Sequence, residues 1–259
     1  VSTALRGVDG AALEEPFTLT LNTVGYLQVA QVLPADGAVD VEANAAITVI
    51  FNRPVVELTT AEDMANLPSP INITPEAQGQ GEWLNTSIYV FRPDPAWGGG
   101  AAYTVTVSAG LQAVDGSVLQ EDVSWSFTVA RPSVTEVTPM AMSTAVTLDS
   151  TVQVRFNQPM NRASVEQAFE LLAEGDDTPV SGSFEWADDS MGFRFTPNAL
   201  LALNTVYDIS IYDEVAEGAA GGSLSAPLFS TFSTVPLPAI ISTDPADGTE
   251  GAYFYGSFT

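Results

Sequence analysis

The chain has 259 residues and a formal net charge of −25, with 46 % hydrophobic but only 15 % charged residues. All seven basic residues are arginines (Arg6, Arg53, Arg92, Arg131, Arg155, Arg162, Arg194), and lysine, histidine and cysteine are absent. This excludes a Ser-His-Asp relay, His- or Cys-held zinc, thiolate or iron–sulfur chemistry, disulfides and Schiff bases, and the charge disfavours nucleic acid and anionic lipid surfaces.

Pro34-Ala-Asp-Gly37 predicts a turn, and the segment Ala46–Asn52 after it predicts a strand. Thr60-Ala-Glu-Asp63 has capping-box spacing and predicts a short helix burying Met64 and Leu67. Ile88–Phe91, Tyr103–Val107 and Ser124–Val129 alternate polar and apolar residues, as half-buried strands do. Turn residues separate them at Gly98-Gly-Gly100 and Asp115-Gly116. Thr151–Asn157 alternates strictly, placing Val152, Val154 and Phe156 on one face. The stretch from Asn161 predicts a second helix, with Val165, Phe169 and Leu172 at helical spacing. Tyr207–Ile211 is again strand-like, and Gly221-Gly222 is a turn. No apolar run approaches the ~20 residues of a membrane-spanning helix.

These elements recur with a period near 105 residues. Phe156-Asn-Gln-Pro159 repeats Phe51-Asn-Arg-Pro54, and Val107–Gly116 repeats Val1–Gly10. Trp186 repeats Trp83, Phe195-Thr-Pro197 repeats Phe91-Arg-Pro93, and Tyr207 repeats Tyr103. Pro245-Ala-Asp-Gly248 follows Pro34-Ala-Asp-Gly37 two periods later. A period of that length is one small domain, and several short alternating strands per period predict an antiparallel β-sandwich. The expected organisation is all-β: complete sandwiches at 30–131 and 132–235, with short edge helices. Residues 1–29 read as the last part of a preceding repeat and 236–259 as the first part of a following one. Either this is a segment of a longer array, or copies exchange strands in a homopolymer. Tyr103 and Tyr207, each after a Phe-x-Pro corner, are expected to pack in the core with the hydroxyl capping a loop backbone.

As a set, Pro-x-Asp-Gly, Phe-Asn-x-Pro, Phe-x-Pro, Tyr-x-Val-x-Val and Trp-x-Phe-Thr resemble bacterial Ig-like domains of the surface-layer and adhesin type. Gly81–Pro93 and Ser242–Gly248 are similar to the Ig-like region of large bacterial alpha-2-macroglobulin-like proteins. That resemblance would imply only a spacer portion, because the thioester those proteases traps use requires a cysteine.

Catalysis could rest only on carboxylates, and Glu14-Glu15, Asp176-Asp177 and Asp188-Asp189 are merely adjacent; the expectation is no enzymatic activity and no cofactor. Calcium is a candidate ligand, with Asp36, Asp40 and Glu42 near one domain start and Asp244, Asp247 and Glu250 near another. The middle repeat has Pro139-Met-Ala-Met142 in that slot. Asn72-Ile-Thr74 and Asn85-Thr-Ser87 are glycosylation sequons. The composition and the repeats point to an extracellular, cell-surface structural role, as a spacer or display rod or as part of a surface filament or layer, whose partners are neighbouring repeats. The alternatives are an adhesin-like binding module and a spacer in a protease-trapping protein.

Overall fold

A computed structural model of the protein describes residues 6–12, 15–20, 25–60, 63–64, 67–244 and 246–251. It contains two β-sandwiches of the same topology. In the first, one sheet has the order β1 (Val29–Leu33), β3 (Ile47–Phe51), β6 (Ile88–Pro93), β5 (Gly79–Asn85). The facing sheet has the order β2 (Ala38–Val41), β8 (Val123–Val129), β7 (Ala102–Val107), β4 (Asn72–Thr74). The second repeats this as β9 (Val134–Thr138), β11 (Val152–Phe156), β14 (Gly192–Pro197), β13 (Gly182–Trp186), against β10 (Ser143–Val146), β16 (Leu228–Thr234), β15 (Val206–Ile211), β12 (Phe169–Ala173). Among the described residues, no helix is long and apolar enough to cross a membrane.

The alternation read from the sequence sorts the side chains. On β8, Trp125, Phe127 and Val129 are buried, while Ser124 and Ser126 face water. On β11, Val152, Val154 and Phe156 are buried and Arg155 is exposed. The result is two separate apolar cores. One is centred on Trp97, which packs against Phe91, Tyr103 and Phe127, the other on Phe169, which packs against Phe184, Phe193 and Phe195.

One feature departs from a purely antiparallel sandwich: β2 runs parallel to β8, and β10 parallel to β16. The chain crosses from one sheet to the other at the turns 34–37 and 139–142, so the strand entering the second sheet lies along its last strand. Both crossings carry a register shift, with Asp40 (φ 53°) and Ala145 (φ 56°) in the left-handed region.

The helix expected from Asn161 is shorter than its apolar spacing suggested. Helix α1 spans Arg162–Ala168, and Phe169 is already extended (φ −84°, ψ 133°). Phe169–Ala173 instead forms β12, paired along its length with β15. Val165, Ala168, Phe169 and Leu171 take the buried positions, and Leu172 lies only partly covered. The sheet edge wins because β15 offers a full row of unpaired backbone groups to those residues. For the helix expected at 60–67, Ala61, Glu62, Ala65 and Asn66 lie outside the described residues. The Asp63 N–H donates to Thr60 Oγ1 at 3.3 Å, the capping contact, and Met64 is buried.

Both expected tyrosine corners form. The Gly98 N–H donates to the Tyr103 hydroxyl at 3.1 Å, and the Ala202 N–H to the Tyr207 hydroxyl at 2.8 Å. Each ring is buried and stacks on the same partner in its repeat, Phe127 or Phe232. Removing a hydroxyl leaves a half-buried N–H unpaired, which costs about 1–2 kcal/mol. Tyr103→Phe and Tyr207→Phe are therefore each expected to lower stability by about that amount, read as a fall in the denaturation midpoint with an unchanged slope.

Candidate functional site

Three of the candidate carboxylates, Asp36, Asp176 and Asp189, are engaged by backbone. The Asp36 Oδ1 accepts the Ser126 N–H at 2.9 Å, which ties the turn 34–37 to β8. Asp40 sits at the left-handed position of the crossing, and Glu42 is exposed on the far side of β2. Asp244, Asp247 and Glu250 are all exposed. Among the described residues, no group of three such side chains is placed to hold a metal ion. In the second sandwich the same turn forms without the acid: the Met142 N–H donates to the Thr231 carbonyl at 2.7 Å, as the Gly37 N–H does to Ser126 at 2.8 Å.

The adjacent carboxylates behave similarly. Asp176 accepts the Thr178 N–H at 3.1 Å and Asp189 the Met191 N–H at 2.8 Å, both local turn bonds. Glu14 lies outside the described residues, and Glu15 is exposed. Both sequon asparagines are exposed, Asn72 on the edge strand β4 and Asn85 at the β5–β6 turn.

Asn52 and Asn157, in the Phe-Asn-x-Pro motifs, have a role that sequence reasoning missed. The side-chain Nδ2 of Asn157 donates to the Arg131 carbonyl at 3.0 Å, and its Oδ1 accepts the Ser133 N–H at 2.8 Å. Asn52 makes the same pair with the Tyr26 carbonyl (3.2 Å) and the Gln28 N–H (2.9 Å). An amide carries both a donor and an acceptor, so it can pair with the chain entering a sandwich as a strand residue would. The signal was the repetition of Asn at a strand end, where an apolar or β-branched residue would otherwise suit.

Next to each clamp lies a small hairpin. Residues 113–117 and 218–222 close with equivalent bonds: Ala113 N–H to the Ser117 carbonyl at 2.8 Å, and Gly218 N–H to the Gly222 carbonyl at 2.9 Å. Residues 7–11 form the same hairpin, with Gly7 N–H to the Ala11 carbonyl at 2.8 Å. Each turns on a glycine with positive φ: Gly10 (83°), Gly116 (80°) and Gly221 (91°). The motif Phe-Asn-x-Pro ends against the hairpin, since Val114 donates to the Pro54 carbonyl and Ala219 to the Pro159 carbonyl, both at 2.9 Å.

In the first sandwich, Arg53 reaches the hairpin and pairs with Asp115 at 2.7 Å. Asp115 also accepts from the Ser117 hydroxyl (2.6 Å) and N–H (3.0 Å). These Ser117 bonds, then Arg53, hold the Asp115 carboxyl down at about 2, below its ordinary 3.8. The second sandwich has Gln158 and Ala220 in place of this pair.

The second sandwich also carries a shallow groove of about 310 Å³ on its outer face, lined by Arg155, Arg194, Glu185, Asp189, Met191 and the edge of Trp186. The Trp186 indole donates to Glu166 at 2.8 Å, and the Arg162 guanidinium lies 5.8 Å from its ring centre.

The depressed Asp115 carboxyl contributes stability that is present above pH ~3.8 and is lost as the pH falls towards about 2. Asp115→Asn is expected to flatten the melting-temperature profile of the first sandwich across that window and to leave the profile above pH 5 nearly parallel to wild type. Chemical shifts of the Asp115 side chain, followed by NMR, provide the direct midpoint.

No curated protein sequence matches the chain. Among solved structures, the N-terminal part of the bacterial S-layer protein SbsC is similar at 17 % identity and a TM-score of 0.31, over 44 % of this chain and 25 % of that one. The chain therefore spans about a quarter of the length of that S-layer fragment. An L,D-transpeptidase from Mycobacterium smegmatis is similar at 15 % identity and a TM-score of 0.29, over 81 % of this chain and 99 % of that one. The model of the bacterial Ig-like domain matches twice in tandem, over residues 24–129 and 129–234, and each match covers one of the two sandwiches with its Asn clamp, its hairpin and its tyrosine corner. The chain belongs to the bacterial Ig-like domain family.

Proposed function

We propose that the protein is a structural, non-catalytic array of Ig-like modules that spaces or displays other domains at the bacterial cell surface. One observation carries this reading: the polar groups that recur between the modules are spent on the module itself. Asn52 and Asn157 hold the entering chain, and Tyr103 and Tyr207 cap a loop. Each module hands the chain to the next through a short, proline-bearing connection. Under this reading the segment before Tyr26 and residues 236–259 belong to flanking repeats, since Gln28 is already held by Asn52 and Val29 already lies in β1. The hairpin at 7–11 supports that for the first of these, because it is the third copy of a hairpin that otherwise sits late in each sandwich. The lysine-free, acidic composition suits an extracellular setting.

A second reading, an adhesin-like module, draws support from the groove at Trp186, where an aromatic edge lies beside two arginines. The first sandwich has no counterpart to it: Ile50 and Val90 stand where Arg155 and Arg194 do.

Two measurements test the proposal. Antibody labelling and protease shaving of intact cells producing the full-length protein are expected to detect this region on the outside; labelling only after lysis would overturn the surface assignment. A glycan array probed with the chain is expected to show no saturable binding. Specific binding abolished by Trp186→Ala would replace the spacer reading with the adhesin reading.

A further inference from the structure

The connection between the sandwiches runs through residues 130–133, and every one of them is tied down. The Ala130 N–H donates to the Val41 carbonyl of the first sandwich at 2.8 Å, and the Ala130 carbonyl faces Gln158 Nε2 at 3.4 Å. Asn157 holds Arg131 and Ser133 as described. The Pro132 carbonyl accepts the Ser225 N–H at 2.7 Å. The Arg131 guanidinium reaches forward to the Leu224 carbonyl at 3.1 Å, at the base of the second sandwich's hairpin.

Beside this linker the two sandwiches touch directly, backbone against backbone. The Gly98–Gly100 corner of the first seats on the Gly218–Gly222 hairpin of the second, and the Gly99 N–H donates across the joint to the Gly221 carbonyl at 3.2 Å. The approach is possible only because side chains are missing. A Cβ on Gly99 would lie 2.7 Å from Pro132 Cδ and 2.9 Å from Gln158 Nε2. One on Gly222 would lie 2.1 Å from the Gly99 carbonyl oxygen, and one on Gly100 2.8 Å from Arg131 Cγ.

The repeat supplies an internal control. The tyrosine-corner bonds align Gly98 with Ala202, and therefore Gly99 with Leu203 and Gly100 with Asn204. Gly100 (φ 74°) and Asn204 (φ 54°) share the left-handed conformation, so the two corners have the same shape. The corner itself thus accommodates a leucine at the Gly99 position; Leu203 projects there, partly exposed. The same alignment places Ser117 of the first hairpin opposite Gly222 of the second. Glycine at 99 answers to the neighbouring sandwich and not to the fold of its own, whereas Gly222 (φ 86°) also serves a left-handed turn of its own hairpin that Ser117 does not share.

We infer that this joint is a built interface: the glycine seat and the tied linker hold the two sandwiches as one rigid body in a fixed relative orientation. The contact is specific to this pair, because neither the corner with Leu203 nor the hairpin with Ser117 can reproduce it. The inference stands on the joint's geometry and does not depend on where the protein acts.

The chain has no cysteine, so Thr104→Cys on β7 and Ser183→Cys on β13, both exposed, give two unique spin-label sites, one per sandwich. Pulsed electron spin resonance on this labelled full chain is expected to show a single narrow distance distribution. Adding Gly99→Leu, with near-ultraviolet circular dichroism confirming that both sandwiches remain folded, is expected to broaden or displace it. A broad distribution without Gly99→Leu, or a narrow and unmoved one with it, overturns the inference. If Gly99→Leu fails to fold, Gly99→Ala brings a single Cβ to the same Pro132 and Gln158 contacts, and the same two outcomes apply.

Discussion

The structure depends on the way an incoming chain is held at the mouth of each sandwich. A strand that enters a sheet must pair its backbone on at least one side, and at its first residues no strand is yet available. The amide of Asn157 supplies that missing partner, accepting from Ser133 and donating to the Arg131 carbonyl. Once this pair is made, β9 runs along β11, and the chain crosses to β10 at the next turn, 139–142. Asn52 does the same for β1 on β3. Because the clamp sits where one module meets the next, a group needed for folding each module also sets how modules are joined.

Around the clamp, the chain uses little side-chain chemistry. The hairpins at 113–117 and 218–222 are closed by backbone bonds and a left-handed glycine, and the corners at 98–100 and 202–204 by a buried tyrosine hydroxyl. That economy explains how a fold can be repeated without lysine, histidine or cysteine. It also leaves the surface free to diverge. Arg53 and Asp115 form an ion pair on one hairpin, while Gln158 stands where the second module meets its neighbour. A charged pair at that second position would have to lose its water when the Gly98–Gly100 corner arrives, whereas an amide and bare backbone do not carry that cost.

Much of the fold was legible in the residues. Strict alternation in Thr151–Asn157 and Ser124–Val129 assigned strand and buried face correctly, because period two has only one way to hide three apolar side chains. The tyrosine corners were legible because the same Phe-x-Pro-to-Tyr spacing occurred twice. The end of α1 was not: Val165, Phe169 and Leu172 fit a helix, and only pairing with β15 makes Phe169–Ala173 a strand. Nor was the parallel pairing of β2 with β8, since direction depends on which sheet the chain joins after the turn. Trp97 gave no sign of its role for a different reason. Its position in a loop gives no periodic signal, yet it fills the centre of the first core, donating from its indole to the Ala45 carbonyl at 2.7 Å.

By itself the sequence determined the repeat, the all-β class, the buried faces and the chemistry that is unavailable, because composition and periodicity are local properties of the chain. It also supplied the acidic turn residues, of which one proved to cap backbone: Asp36 reads as a potential metal ligand until β8 is seen to present the Ser126 N–H to it. Only the tertiary structure decided what the glycines at 98–100 and 218–222 are for. As sequence they are turns, and either set would close its loop with fewer glycines, as Ala202-Leu203-Asn204 and Ala113–Ser117 do. The bareness of Gly99 acquires meaning only when two backbones more than a hundred residues apart meet at a distance that no Cβ would permit.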